Sequence, residues 1–247
     1  MDNEAQVILI SIAGVIATGI LLINGLLYWT ILSVKYVSKL NILIQFFGLV
    51  VTCVYQVNLL LVNMKYFKSS PLTEILVNNM PFQIFFNCYL IVFIRQCDTL
   101  LPRKVVLVSW IYLGFLNAVV ILDTYVYYLE FCVSDEWTWL GILMDVLFTT
   151  FQLILECIIN IWIIFKIVKK VRNQANLSYK ILVTKLCITL VLFLVVDIII
   201  ISLEFSNNQM YASILMGALY ALKIQVEALC LGKIRECIII MENYENA

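Results

Sequence analysis

The chain has 247 residues, 64% of them hydrophobic and 13% charged. Soluble domains average about 45–50% apolar and about 25% charged residues, so a soluble enzyme and a disordered regulator are poor readings. The 16 cations balance the 16 anions, leaving no basic field to favour a nucleic-acid partner.

The composition predicts an all-α, polytopic membrane protein. Seven spans of about 20–25 residues would use roughly 140–175 residues and leave only short loops and tails. The sequence divides into a seven-helix bundle over 1–231 and a tail over 232–247. The chain has no His, which removes His-ligated metal sites and Ser-His or Cys-His catalytic pairs. Its eight Cys show no C-x-x-C spacing, so no zinc knuckle or disulfide framework is expected. No acid pair with a nucleophile motif and no Gly-rich phosphate loop appears. Neither enzyme activity nor a cofactor is therefore expected.

The first apolar run, Val7 to Val34, is too long for a signal-peptide core and follows a segment with Asp2 and Glu4 but no cation. It reads as the first span. The others are predicted at 41–63, 73–95, 104–128, 138–166, 181–204 and 210–231. The third is the weakest, because Asn78, Asn79, Pro81, Gln83 and Asn87 dilute it.

Loop charge predicts orientation. Lys35 and Lys39 lie in the first loop, Arg95, Arg103 and Lys104 at the third, and Lys166, Lys169, Lys170, Arg172, Lys180 and Lys185 around the fifth. The tail adds Lys233 and Arg235. Opposite them lie only Lys65 and Lys68. Cytoplasmic loops are enriched in Lys and Arg, so the amino terminus is expected outside and the carboxyl terminus in the cytoplasm. Trp29, Trp110, Trp137, Trp139 and Trp162 all fall near proposed interfaces, as an aromatic belt requires. In the tail, Ile234, Cys237, Ile238 and Met241 share one helical face. They predict a short amphipathic eighth helix on the inner leaflet, with Cys237 placed for S-palmitoylation.

Five charged residues, Asp145, Glu156, Asp197, Lys223 and Glu227, lie in the cores of the later spans. Lys223 lies near the middle of the seventh, where a lysine costs roughly 2.5–3.5 kcal/mol to insert. Asp197 in the sixth, Glu156 in the fifth and Glu227 one turn beyond Lys223 are its candidate partners. This polar core reads either as the floor of a ligand cavity or as a structural ion pair fixing helix register. A second set lies nearer the outside: Asp123 on the fourth span, Asp145 and Thr149 on the fifth, with Tyr125, Tyr127, Tyr128 and Glu130. With no cation beside it, this outer vestibule should be electronegative and attract cationic or amine-bearing ligands. Asn24, Asn58, Asn87, Asn117, Gln152 and Asn160 read as hydrogen-bonding glue between helices.

Seven spans, an outside amino terminus, a short basic loop between spans five and six, and an amphipathic inner helix with a Cys resemble the architecture of G-protein-coupled receptors. The resemblance covers the whole topology and is one of architecture. Ile94-Arg95-Gln96-Cys97-Asp98 stands where the rhodopsin-like class has its acid-Arg-Tyr triplet, and Lys223-Ile224-Gln225-Val226-Glu227 replaces Asn-Pro-x-x-Tyr. A midplane lysine in span seven is also where retinal proteins form a Schiff base. Microbial members place an Asp four residues earlier, where this chain has Leu219. The resemblance implies a divergent, chemoreceptor-like receptor in the plasma membrane for an unknown extracellular ligand. It would signal through spans five and six to a heterotrimeric G protein, with Arg95, Lys169, Lys170 and Arg172 at the cytoplasmic coupling face. A small transporter or channel built on Asp197, Lys223 and Glu227 remains open, as does a non-catalytic scaffold. The charge bias gives a direct test. An epitope tag at 174 should be detected only after permeabilising cells, and a sequon engineered into 132–138 should be glycosylated; surface detection of the tag would invert the topology.

Overall fold

The computed structural model describes residues 3–31, 39–66, 70, 75–98, 101–172, 177–206, 211–226 and 230–231. Among them are seven α-helices and no strands. They are α1 (Asn3–Ile31), α2 (Lys39–Asn63), α3 (Met80–Cys97), α4 (Arg103–Cys132), α5 (Thr138–Arg172), α6 (Leu177–Phe205) and α7 (Tyr211–Val226). The first five are long and apolar enough to cross a bilayer, while α6 and α7 hold shorter apolar stretches, Cys187–Leu203 and Tyr211–Val226. The tail helix expected over 232–247 lies outside the described residues.

The solvent of this fold is lipid. On α1, Leu9, Ile12, Ile16, Ile20, Ile23 and Leu27 are all exposed, at spacings of three and four that trace one face of the helix. The opposite face carries buried Ser11 and Thr18 with Gly14 between them. Water would penalise so continuous an apolar surface; hydrocarbon does not. In lipid, small inward residues let neighbouring helices approach, as this face does. The chain is thus a multi-pass helical membrane protein.

Helices α1 and α2, α2 and α3, α4 and α5, and α5 and α6 pack as sequential neighbours. The third helix is the hub. Its Cys88 lies against Gly48 of α2, Asn87 bonds Asn117 of α4, Phe86 meets Phe148 of α5, and Phe85 and Tyr89 meet Tyr220 of α7. In its apolar window 61% of residues are buried, against 17% in α1. A helix enclosed by protein needs little hydropathy to reside in a membrane, which explains why its mean hydropathy, 1.2, is the lowest of the five.

The predicted start of this span is corrected. Regular helix begins at Met80, preceded by a π-helical turn over Ile75–Asn79. Pro81 is the cause. It has no N–H for the Val77 carbonyl, and its ring crowds that oxygen. The Asn58 amide of α2 takes the vacant acceptor, donating to Val77 O at 2.7 Å. A side chain from a neighbouring helix thereby repairs a break that lipid would penalise.

Other amides bind the bundle. Asn87 and Asn117 exchange two hydrogen bonds, each 2.8 Å, between α3 and α4. Asn63 donates to Ser11 Oγ across α2 and α1 at 2.8 Å. Gln225 of α7 donates to Leu21 O of α1. Gln56 of α2 is buried and donates to Ile214 O of α7 at 2.8 Å. Its amide runs between Gly14 and Gly217, where a Cβ would come within 2.6 Å of Oε1 and 1.9 Å of Nε2 respectively. Two glycines therefore make the slot that joins α1, α2 and α7. Gly19, in contrast, faces open space. Gly217→Ala should lower stability by about 1–3 kcal/mol through overpacking, whereas Gly19→Ala should leave it unchanged or slightly raised. Thermal unfolding of detergent-purified protein compares the two; equal midpoints would remove the slot's structural role.

Candidate functional site

Two linked features occupy the interior. The deeper one centres on Lys223, twelve residues into α7, about 18 Å from its start. Its Nζ donates to Glu156 Oε2 of α5 at 2.5 Å and to Asp197 Oδ1 and Oδ2 of α6 at 2.8 and 2.7 Å. Lys223 and Glu156 are fully buried and Asp197 is 4% exposed. Gln152, one turn before Glu156, donates to Glu156 Oε1 at 2.8 Å. The rings of Tyr89 and Tyr220 flank the ammonium, with centroids 5.2 and 5.3 Å from Nζ. Those faces are electron-rich and supply attraction that hydrocarbon cannot. Glu227, the remaining candidate for this core, lies outside the described residues.

The second feature is a cavity of about 280 Å³ between α4, α5 and the starts of α3 and α7. It lies at the end of the bundle where α1 and α7 begin. Asp123, Tyr127 and Glu130 of α4 line it, with Thr138, Asp145, Phe148 and Thr149 of α5. Tyr55 and Phe82 complete an aromatic wall. Among the described residues its lining includes three carboxylates and no Lys or Arg, and Asp145 is accessible. Thr138 Oγ1 donates to Glu130 Oε1 at 2.9 Å, closing the α4–α5 corner. Of the outer tyrosines, Tyr127 faces this cavity, while Tyr125 and Tyr128 are exposed.

The two features share a wall. Asp145, Thr149, Gln152, Glu156 and Asn160 follow one another at spacings of four, three, four and four on α5. That spacing keeps them on one helical face, and the face points inward: Thr149, Gln152, Glu156 and Asn160 are all buried. Thr149 lines the cavity and also the narrow gap beside Asp197, Gln152 and Tyr220. A column of rings runs parallel to this stripe. Phe82, Phe85, Phe86 and Tyr89 descend α3, Phe86 packs on Phe148 with centroids 4.6 Å apart, and Tyr89 meets Tyr220 edge-on at 5.5 Å. The sequence divides these residues among an outer polar set, the lysine cluster and interhelical amides; their common spacing on α5 is the signal that joins them. Gln56, Tyr89 and Tyr220 were not singled out, since an aromatic or amide in an apolar run marks no site by itself.

At the other end of the bundle, Arg95 is half-buried and its Nε donates to Asn41 Oδ1 at 2.7 Å, tying α3 to α2. Lys169 is exposed near the end of α5. The side chains of Lys170 and Arg172, and all of Cys237, lie outside the described residues. Among the described residues no three His, Cys, Asp or Glu side chains converge as metal ligands do.

The chain matches no protein-family model, no curated protein and no solved structure.

The cluster makes a stability prediction. Lys223→Met leaves Glu156 and Asp197 facing each other without their cation, a loss of about 3–5 kcal/mol for a broken buried pair. Replacing Lys223, Glu156 and Asp197 together by apolar residues of similar volume should restore most of that. Thermal unfolding of the single and triple variants in lipid nanodiscs measures the difference; a triple variant as unstable as the sum of its singles would defeat the pairing account.

Proposed function

We propose that this protein is a seven-transmembrane receptor whose cavity takes a small cationic, amine-bearing ligand from outside the cell. The observation that carries the reading is the cavity itself, in which carboxylates and aromatic rings line one space with no Lys or Arg among the described residues. A carboxylate forms charge-assisted hydrogen bonds with an ammonium, and ring faces attract the same cation. The charge bias of the loops puts this end of the bundle outside and the basic ends of α5 and α6 in the cytoplasm.

On this reading, an occupant presses on Phe148 and Thr149 and shifts α5 against α6. Lys223 joins those two helices through Glu156 and Asp197. The shift would be read by a heterotrimeric G protein at Arg95, Lys169, Lys170 and Arg172. The tail helix, with Cys237 acylated, would hold the carboxyl terminus against the inner leaflet of the plasma membrane. A second reading, a small transporter, draws on the ionisable cluster directly beneath the cavity, since intramembrane charges also mark substrate paths.

The test is a panel of primary, tertiary and quaternary amines applied to cells expressing the full chain with a promiscuous G protein. At least one amine should raise second messenger only in expressing cells. Asp145→Asn should weaken that response about tenfold or more, the loss of a hydrogen bond to a charged group worth about 1.5–3 kcal/mol. Amine-driven flux into liposomes without nucleotide exchange on any G protein would replace the receptor by the transporter. No response and no flux for any amine would remove the ligand assignment.

A further inference from the structure

The charge of the buried cluster does not balance. Lys223 brings one positive charge, while Glu156 and Asp197 bring two negative charges when ionised. All three are buried at the bundle core. Among the described residues, no other lysine or arginine bonds either acid. The nearest along α5 and α6 are Lys166 and Lys185, about 15 and about 18 Å away at 1.5 Å per residue. Tyr89, Tyr220 and Gln152 contribute dipoles, not charge. Cys157, the residue after Glu156, is a thiol and adds no cation. A surplus negative charge in so poorly polarisable a place is expensive and has to be removed.

Two further observations identify what removes it. First, Glu156 Oε2 and both Asp197 carboxylate oxygens converge on the single Lys223 Nζ, at 2.5, 2.8 and 2.7 Å, so the two acids are neighbours at one nitrogen. Two ionised carboxylates brought this close repel each other, and a proton on one removes that repulsion. Second, the gap beside Asp197, bounded by Thr149, Gln152, Leu153, Ile200 and Tyr220, has no room for even a water-sized sphere. A sodium ion with its ligands does not fit where Nζ already stands between the oxygens.

We propose that Lys223, Glu156 and Asp197 form a proton-binding site: the two carboxyls hold one proton between them, and the cluster is neutral at neutral pH. The proton comes from water and forms one O–H bond, with either acid as its bearer. The inference is independent of the receptor reading. It holds for any function of this fold, because it follows from burial, contact and charge. Its position gives it a use, since Thr149 and Gln152 separate the proton from the cavity by one side chain each. Anything that spreads α5 from α6 opens the pair to water and releases the proton.

Difference infrared spectroscopy on the full chain in lipid nanodiscs tests the site. The probes are protons, through pH, and sodium against potassium at fixed pH. Wild type should show one protonated-carboxyl C=O band at neutral pH that shifts in D2O. The band should be lost or displaced in Glu156→Gln and in Asp197→Asn, and unchanged in the exposed control Glu136→Gln. Absence of the band in wild type, or its survival unchanged in both core variants, would overturn the proposal. So would loss of the band on adding sodium at constant pH, which would make a metal cation the balancing charge.

Discussion

A lysine buried near the middle of a bilayer-spanning bundle constrains everything around it. From the middle of a roughly 30 Å hydrocarbon core a lysine side chain cannot snorkel to either interface. The bundle must therefore bring acids to it. Glu156 and Asp197 arrive from different helices, so α5, α6 and α7 are held at one depth and one rotation by a single nitrogen. Replacing either acid by an apolar residue would free a helix to slide. Such groups are poor sources of net stability and good determinants of register. Tyr89 adds α3 to the same assembly through its ring face.

The remaining polar side chains follow the same rule at lower cost. Lipid offers no hydrophobic drive between helices, so association depends on packing and on hydrogen bonds that hydrocarbon cannot replace. The Asn87–Asn117 exchange, the Gln56 slot and the Asn58–Val77 bond each join two helices with an amide. The last also shows how a proline break becomes an asset. Pro81 frees a carbonyl, and that carbonyl becomes the acceptor that docks α2 on the turn before α3.

What the sequence reveals follows from this division between lipid and protein surroundings. Long apolar runs show where α1, α2, α4 and α5 lie because lipid acts along the whole length of each helix. It reveals α3 poorly, since a helix shielded by its neighbours loses the hydropathy that marks a span. Lys223, Asp197 and Glu156 stand out because charge is rare in such runs, and the inventory of possible partners is short. The choice among partners depends on helix rotation, which no local pattern fixes. The cavity residues Asp123, Asp145 and Thr149 were visible as a polar set, while Tyr55 and Phe82, contributed by α2 and α3, could be joined to them only in three dimensions. Tyr89 and Tyr220 look like any aromatic in an apolar segment until the ammonium is seen between them.

Stripe and column together give the interior a direction. One face of α5 carries carboxyl, hydroxyl, amide and carboxyl in succession from the cavity to Lys223, and α3 carries rings beside it. A displacement at Phe148 is passed to Phe86 by direct ring contact, and a displacement at Thr149 alters the wall of the gap beside Asp197. Packed interiors respond to such pushes by changing arrangement, because close-packed side chains leave little room for gradual deformation. The place with two arrangements available is the ion cluster. One nitrogen is shared by two acids on two helices, so weakening its bond to α6 can be offset by its bond to α5. Under the proposed function, that sharing is what a ligand would bias: it would change which helix Lys223 holds, and the charge buried with it would make either choice definite.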